Sequence, residues 1–315
     1  MARAAQDWPE ADRLRSEIEA AGWKVVDQGT RFKLERAGPP DVEDEGRVRY
    51  GRSASVPSRL NEPPTKVATV VVRATDAADD LVRALEGLRR HAPADIQVVV
   101  VADAPAAATA AALEAPDAPA MLPIGGEPPE VVWTVQRLGP AAAANAGLRR
   151  AVGAVVVLLD PSVELSGDAL TPLVRALDDP TVALVGAWGS ASADLRRWED
   201  ARAGDVDAID TALMAFRRGA IEARGTFDER LRSERHLATW WSLVLRDEGE
   251  DHDPRRAVAL QGLPVVRHQR PRDRVPMSDE EARLEKRDFY RVIDRFGRRR
   301  DLLVARRTAR GPARG

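Results

Sequence analysis

The decapeptide GAVVVLLDPS, Gly153 to Ser162, offers the clearest chemistry in the chain. An unbroken apolar run from Val155 to Leu159 ends at Asp160, and Pro161 cannot continue a strand ladder. A short β-branched run closed in this way predicts a strand buried on both faces, as in a parallel sheet. Ligands of open α/β sheets sit beyond the carboxyl ends of the strands. Asp160 is therefore placed either to meet a ligand or metal ion, or to close the strand and cap the next turn. The spacing leaves both open.

The elements that would position this carboxylate alternate regularly. Strands are expected at Val67–Val72, Ile96–Val101 (running on to Asp103), Val131–Val135, Val155–Leu159 and Val182–Val185. Between them lie helical patterns at Ala77–His91, with Leu81, Leu85 and Leu88 on one face, and at Ala106–Leu113, Pro140–Val152 and Asp168–Leu177. Strand–helix alternation at these lengths means βαβ units and an α/β fold with a mostly parallel sheet.

Composition narrows the function classes. Of 315 residues 44% are hydrophobic, enough for a sizeable core, and 48 Lys plus Arg nearly balance 50 Asp plus Glu, so overall charge selects no partner. The balance shifts from Arg267 onward, where 16 basic residues face 8 acidic ones. No cysteine is present, which excludes disulfides and thiolate metal sites. No signal-like segment opens the chain, and no apolar run reaches the roughly 20 residues that span a bilayer. A cytoplasmic location is the expectation, with the basic tail free to contact an anionic inner membrane face.

The flanks read as additions to a central domain spanning 66–270. Residues 1–36 suggest a helix at Trp8–Glu19, ended by Gly22, and two short strands at Lys24–Asp27 and Arg31–Leu34. Through Trp8, Ala11, Asp12, Arg15, Gly22, Asp27, Gly29, Thr30, Arg31 and Leu34 this module resembles the C-terminal end of cysteinyl-tRNA synthetases, without their catalytic or zinc-binding parts. Residues 37–65 have the Pro, Gly, Ser and charge content of a linker. Residues 271–315 predict a basic helical extension: Ser278 and Glu281 have capping-box spacing, Leu284, Phe289, Val292, Ile293 and Phe296 recur helically, and Gly297 breaks the pattern. Arg298, Arg299, Arg300, Arg306 and Arg307 form a basic patch without aromatic interleaving, so nucleic acid is not an expected partner.

With these elements in order, the segment from Val67 to His268 resembles the family 2 glycosyltransferases of GT-A (Rossmann-like) fold. TVVVRATD, Thr69 to Asp76, matches the first strand and the loop touching the nucleotide, and VVVVADAP, Val98 to Pro105, the second strand with its terminal acid. GPAAAANAGLRRAVGAVVVLLDPS carries Asn145, Gly147, Gly153 and Asp160 in the family's order, and LMAFRRGAIEARGTFDERL carries Phe216, Arg217, Gly225, Phe227, Asp228 and Glu229.

The resemblance implies sugar transfer from a nucleotide-sugar donor to a glycan, lipid or small-molecule acceptor. It implies Mg²⁺ or Mn²⁺ to neutralise the leaving diphosphate through hard oxygen ligands. Arg73, Asp76, Asp103, Asn145 and Gly147 would serve the nucleotide, Asp160 the metal with His268, and Trp240 and Trp241 the acceptor if they are not core. A carboxylate base for the acceptor hydroxyl would come from Asp228, Glu229 or Glu234. Two departures matter. Ser162 stands where the Asp-x-Asp metal motif has its second acid, with Glu164 two residues beyond as a substitute. The usual base position falls at Ala238 or Thr239. A degenerate member that binds a nucleotide, glycan or protein without catalysis is the alternative.

Overall fold

Val70 and Val72 point to one side of the first long strand and Val71 to the other, and all three are buried. A strand buried on both faces needs a helical layer on each side, and the chain supplies one. A computed structural model describes residues 10, 13–14, 17–18, 23–28, 31–36, 38–44, 46–114, 118–201, 203–269 and 276–305.

β1 (Trp23–Gln28) and β2 (Arg31–Arg36) form a separate antiparallel hairpin, as expected. Of the helix expected at Trp8–Glu19, residues 10, 13–14 and 17–18 are helical and the rest lies outside the described residues. The main sheet contains β3 (Val42–Asp44), β4 (Arg47–Tyr50), β5 (Lys66–Ala74), β6 (Ile96–Ala102), β7 (Glu130–Thr134) and β8 (Gly153–Leu159). Four further members are β10 (Val182–Gly186), β13 (Gly204–Val206), β15 (Leu213–Arg217) and β16 (Arg256–Ala259), in the order β13-β16-β10-β15-β8-β5-β6-β7-β4-β3. β8, β5, β6, β7 and β4 run parallel, whereas β15 is antiparallel to both its neighbours. β9 (Val163–Leu165) pairs with β17 (Val265–Arg267), and β11 (Gly189–Ala191), β12 (Glu199–Ala201) and β14 (Ala208–Ile209) form a small third sheet.

On one face lie α1 (Ala78–His91), α2 (Ala107–Glu114) and α4 (Leu170–Ala176), whose leucines pack on Val70, Val72, Val98, Val100, Val157 and Leu159. On the other lie α3 (Pro140–Arg150), α5 (Gly219–Arg224), α6 (Glu234–Arg246) and α7 (Asp279–Phe296), against Val71, Val99, Val101, Val156 and Leu158. Gly153 admits β8 close to β5: a Cβ there would meet the Ala68 carbonyl carbon at 2.3 Å, and its N–H donates to Thr69 Oγ1 at 2.8 Å.

The segment read as a linker is ordered against this body. β4 extends the sheet by pairing Arg49 with Trp133, Arg149 Nε donates to the Val56 carbonyl at 2.5 Å, and Arg218 donates to the carbonyls of Arg59 and Glu62. Strand pairing and arginine donors to its carbonyls hold it, with Val56 buried and Tyr50 and Leu60 packed on the core; so few apolar side chains are why its composition suggested an open chain. At the other end the capping box at Ser278 and Glu281 forms, and the helix stops at Gly297. Val292, Phe296, Leu302 and Leu303 are buried against α6, and the fully buried Arg246 donates to the carbonyls of Asp207 and Leu302 at 2.8 and 2.5 Å. Arg299, expected in a free basic patch, is bonded to Asp247 and Asp301; Arg306 and Arg307 lie outside the described residues. Among the described residues no helix is long and apolar enough to cross a membrane.

Candidate active site

The chain leaves β5 in one direction through β6 and β7, then crosses to the opposite side of β5 to form β8. That reversal opens a crevice between the carboxyl ends of β5 and β8. Val72 pairs with Leu159, so Arg73 and Asp160 leave neighbouring strand ends. Two adjoining cavities, of about 150 and 540 Å³, open there, and both are walled by Arg73, Asp160 and Glu234. The smaller adds Ser162, Asp210, Thr211 and Arg267; the larger adds Thr75, Asp76, Asp79, Asp80 and Pro161.

Asp160 caps the turn and also lines the cleft. Its Oδ1 accepts from Ser162 N at 2.8 Å and Ser162 Oγ at 2.6 Å, which caps the turn, while the residue lines both cavities. The hydroxyl that replaces the second acid is thus a donor to the first. Glu164 is taken up elsewhere: it faces Val266 across the β9–β17 pair, and its Oε2 lies 2.9 Å from His268 Nε2. Neither Glu164 nor His268 lines the cleft. Among the described residues no group of three or more His, Cys, Asp or Glu side chains is arranged around a metal position.

The expected nucleotide residues divide. Arg73 and Asp76 line the cleft, and Asp76 also accepts two hydrogen bonds from Arg137, at 3.0 and 2.5 Å. Asp103 is fully buried; its Oδ1 accepts from Leu138 N at 2.6 Å and its Oδ2 from Arg73 Nε at 3.1 Å. It therefore holds Arg73 rather than touching the cavity. Asn145 faces away, toward the Gly-x-Phe-Asp-Glu loop: it accepts from Phe227 N at 3.0 Å and donates to Phe227 O at 3.0 Å and Glu229 Oε1 at 2.9 Å. Gly147 lets α3 rest on β5, because a Cβ there would lie 2.3 Å from Val71 Cγ1.

Of the three carboxylates expected as base, only Glu234 reaches the cleft. It opens α6 after Ser233, whose backbone N–H, with that of Arg232, is held by the buried Asp288 at 2.8 and 2.5 Å. Arg73 Nη1 donates to Glu234 Oε1 at 3.0 Å. Glu229 is clamped by Asn145 and Ser53. Asp228 sits under Arg230; burial opposes its ionisation, but the Arg230 side chain and N–H outweigh it and hold the carboxyl below its ordinary value.

Trp240 and Trp241, read as a sugar platform or core, are core. Trp241 is fully buried with its ring 5.5 Å from Phe216 and 4.5 Å from Phe227, and Trp240 packs edge-on to Phe296. Packing from α7 buries the face of α6 that the sequence left open.

Two cleft residues had no motif to announce them. Asp210 follows the two-residue β14, accepts from Ala212 N at 2.9 Å, and takes Arg267 Nη1 at 2.8 Å. The Arg267 guanidinium lies 5.3 Å from the Trp188 ring centroid. Six acids line the cleft walls, of which Asp76, Asp80, Asp210 and Glu234 are ion-paired with Arg137, Arg83, Arg267 and Arg73.

Residues 69–239 match the sequence model described as Glycosyl transferase family 2. The fold is similar to that of the mannosyltransferase PcManGT from Pyrobaculum calidifontis in complex with GDP-Man and Mn²⁺, at 20% identity over 83% of this chain and 81% of that one, TM-score 0.50. It is also similar to GalNAc-T7 with UDP, GalNAc and Mn²⁺, at 16% identity, TM-score 0.58, over 82% of this chain but 51% of that one. A third similar structure is S. aureus TarS 1-349 in complex with UDP-GlcNAc, at 13% identity over 72% and 66% of the two chains, TM-score 0.51. At these identities the likeness establishes the fold alone. No curated protein matches the chain.

Proposed function

The chain belongs to glycosyl transferase family 2, and from that premise we propose that it transfers a sugar from a nucleotide-sugar donor to an acceptor hydroxyl with the help of a divalent cation. The observation that carries this reading is Asp160, which closes a buried strand at the switch point of the sheet and walls both halves of the cleft. The larger cavity lies within the usual size of small-ligand sites, ~300–1,000 Å³, and receives the nucleotide beside Thr75 and Asp76. Arg73 and Arg267 are the cations within reach of the diphosphate.

The Asp160 carboxylate argues for a cation, since a diphosphate brought beside it alone is repelled. Bound Mg²⁺ or Mn²⁺ would neutralise the nucleoside diphosphate as it departs. The donors fit such an ion only in part: Asp160 would hold it, with Ser162 close by, and the remaining hard oxygen ligands would come from diphosphate and water. Similar structures were solved with GDP-Man, UDP and UDP-GlcNAc, which supports a nucleotide-sugar donor and leaves the nucleotide to experiment.

Glu234 is the base in this reading. It takes the acceptor hydroxyl proton as that oxygen forms its bond to the anomeric carbon, and the bond from that carbon to the phosphate oxygen breaks with its electron pair leaving on the diphosphate. Arg73 orients Glu234, and the buried Asp103 fixes Arg73. A second reading, a non-catalytic nucleotide binder, draws support from Ser162 in the metal motif and from the lack of a three-donor group among the described residues.

Thermal-shift titration with UDP and GDP, each with and without Mn²⁺, tests the proposal, because a ligand bound only by the native state raises apparent stability. Metal-dependent stabilisation by one nucleotide supports the transferase. Stabilisation indifferent to metal favours the binder, and no response to either nucleotide removes both readings.

A further inference from the structure

A third cavity, of about 350 Å³, lies outside the cleft and shares no lining residue with it. The first turns of α6 form the wall between them: Glu234 and Leu237 face the cleft, whereas Arg235, His236 and Thr239 face the cavity. At 100° per residue these are opposite faces of one helix. The far wall is α7, and the roof is the loop that follows β11.

That roof is fixed by its own hydrogen bonds. Ser192 Oγ accepts from Leu195 N at 2.9 Å and donates to Arg197 O at 2.6 Å. Asp194 Oδ1 accepts from the N–H groups of Arg196 and Arg197 at 2.8 and 2.9 Å, and Trp198 Nε1 donates to Leu195 O at 3.2 Å. Leu195 is fully buried at φ +65°, a left-handed conformation that a branched residue rarely adopts. The strained, bonded turn presents Arg196 and Trp198 to the cavity.

The lining divides by chemistry. Trp198, Phe289 and His236 give flat apolar walls, with the His236 and Phe289 rings edge to face at 6.2 Å. Arg196, Arg235 and Lys286 surround them; among the described residues none of the three side chains makes a direct ion pair or hydrogen bond, and Asp194 is the acid within electrostatic reach of Arg196. The single acid of the lining, Glu285, is engaged by Ser233 Oγ at 3.3 Å. His236 adds no fourth charge near neutral pH, since burial holds its imidazole below the ordinary value.

We infer that this cavity is a second ligand site, distinct from the cleft, for an organic anion with a flat apolar body and an acidic group at its edge. Three cations without a direct ion pair among the described residues, set around aromatic walls, are complementary to such a ligand in charge and in shape, and the volume is that of a small-molecule pocket. A bare anion would leave the aromatic walls uncovered, and a neutral ring would leave the cations unmatched.

Calorimetric titration of the full chain with 1-naphthyl phosphate tests the site, with 1-naphthoate, inorganic phosphate and 1-naphthol as separate arms. The expected result is saturable one-to-one binding of 1-naphthyl phosphate, about tenfold or more tighter than inorganic phosphate or 1-naphthol, and unchanged by UDP with Mn²⁺. Comparable binding of 1-naphthoate identifies a general acid requirement; preference for the phosphate narrows the ligand to phosphate esters. Arg235→Gln with Lys286→Gln, both exposed, should weaken binding about tenfold and leave the melting temperature unchanged. The inference is overturned by no saturable binding, by inorganic phosphate binding as tightly as the ester, by competition from UDP with Mn²⁺, or by unchanged affinity in the double variant.

Discussion

Arg73 and Glu234 meet across the mouth of the cleft at 3.0 Å, joining the end of the first long strand to the start of α6. The pair is partly exposed, and such pairs contribute ~0–1 kcal/mol to stability. Its importance is positional: Arg73 is anchored from behind by the fully buried Asp103 and so delivers a fixed guanidinium to a carboxylate that would otherwise rotate freely. If Glu234 is the base, Glu234→Gln should lower kcat by about 10²–10⁴ with donor KM nearly unchanged. Arg73→Ala should instead raise donor KM as well. Steady-state kinetics with donor varied separates the two, and a Glu234→Gln enzyme of full kcat removes the residue from the chemistry.

Asp160→Asn keeps an oxygen for the Ser162 donors and removes the charge. The melting temperature of the free protein should hardly change. The Mn²⁺-dependent stabilisation by nucleotide, about 2.7 kcal/mol at ligand near 100 Kd, should disappear. A variant that still responds to nucleotide and metal together would show that the cation is held elsewhere.

Asn145 is a structural clamp, and its replacement should be felt in stability. It satisfies both backbone groups of the buried Phe227, is itself buried, and touches the exposed Glu229. Asn145→Ala leaves the Phe227 N–H and C=O buried and unpaired, for an expected loss of about 2–4 kcal/mol. Urea denaturation measures it; a loss under about 0.5 kcal/mol would mean that water or a shifted loop replaces the clamp.

How far the sequence reveals this arrangement depends on the range of the interaction concerned. The strand ended by Asp160 is legible because a buried apolar run and its terminal acid are local features, and the βαβ order then places that acid in a crevice. Glu234 and the two tryptophans were harder. Trp240 and Trp241 are neighbours on a helix, so one would ordinarily face outward; both are buried because α7, some forty residues later, covers the second side of α6. Asp210 had no local signal at all, since it follows a two-residue strand and enters the cleft only through the β8–β15 pairing. Asp103 and Asn145, expected at the nucleotide, line neither half of the cleft, because their partners, Leu138 and Phe227, are set by tertiary packing.

Gly147 tests the contact between α3 and β5. Gly147→Ala drives a methyl to within 2.3 Å of Val71 Cγ1, and overpacking of this kind costs about 1–3 kcal/mol. Shortening the facing residue should restore part of the loss, so Gly147→Ala with Val71→Ala is expected to be more stable than the sum of the two single changes. A double-mutant cycle on unfolding free energies measures that coupling. Strict additivity would place the Gly147 requirement in backbone conformation instead.

His236 gives the fold a specific dependence on pH. Burial is the largest influence on its imidazole and pushes the value down; Glu285 and Asp288 oppose that shift, and Arg235 adds to it. The unfolded chain titrates near the ordinary 6.5, so between the folded value and about 6.5 the unfolded state binds the proton that the native state resists. Stability from this residue is therefore complete above about pH 6.5 and declines as pH falls toward the folded value. His236→Phe keeps a ring against Phe289 and cannot be protonated, so its unfolding free energy should fall less than that of the unaltered protein as pH is lowered from about 8 to 5. Urea melts of the two proteins across that range decide the matter, and parallel curves would mean that the imidazole stays as hydrated in the folded chain as in the unfolded one.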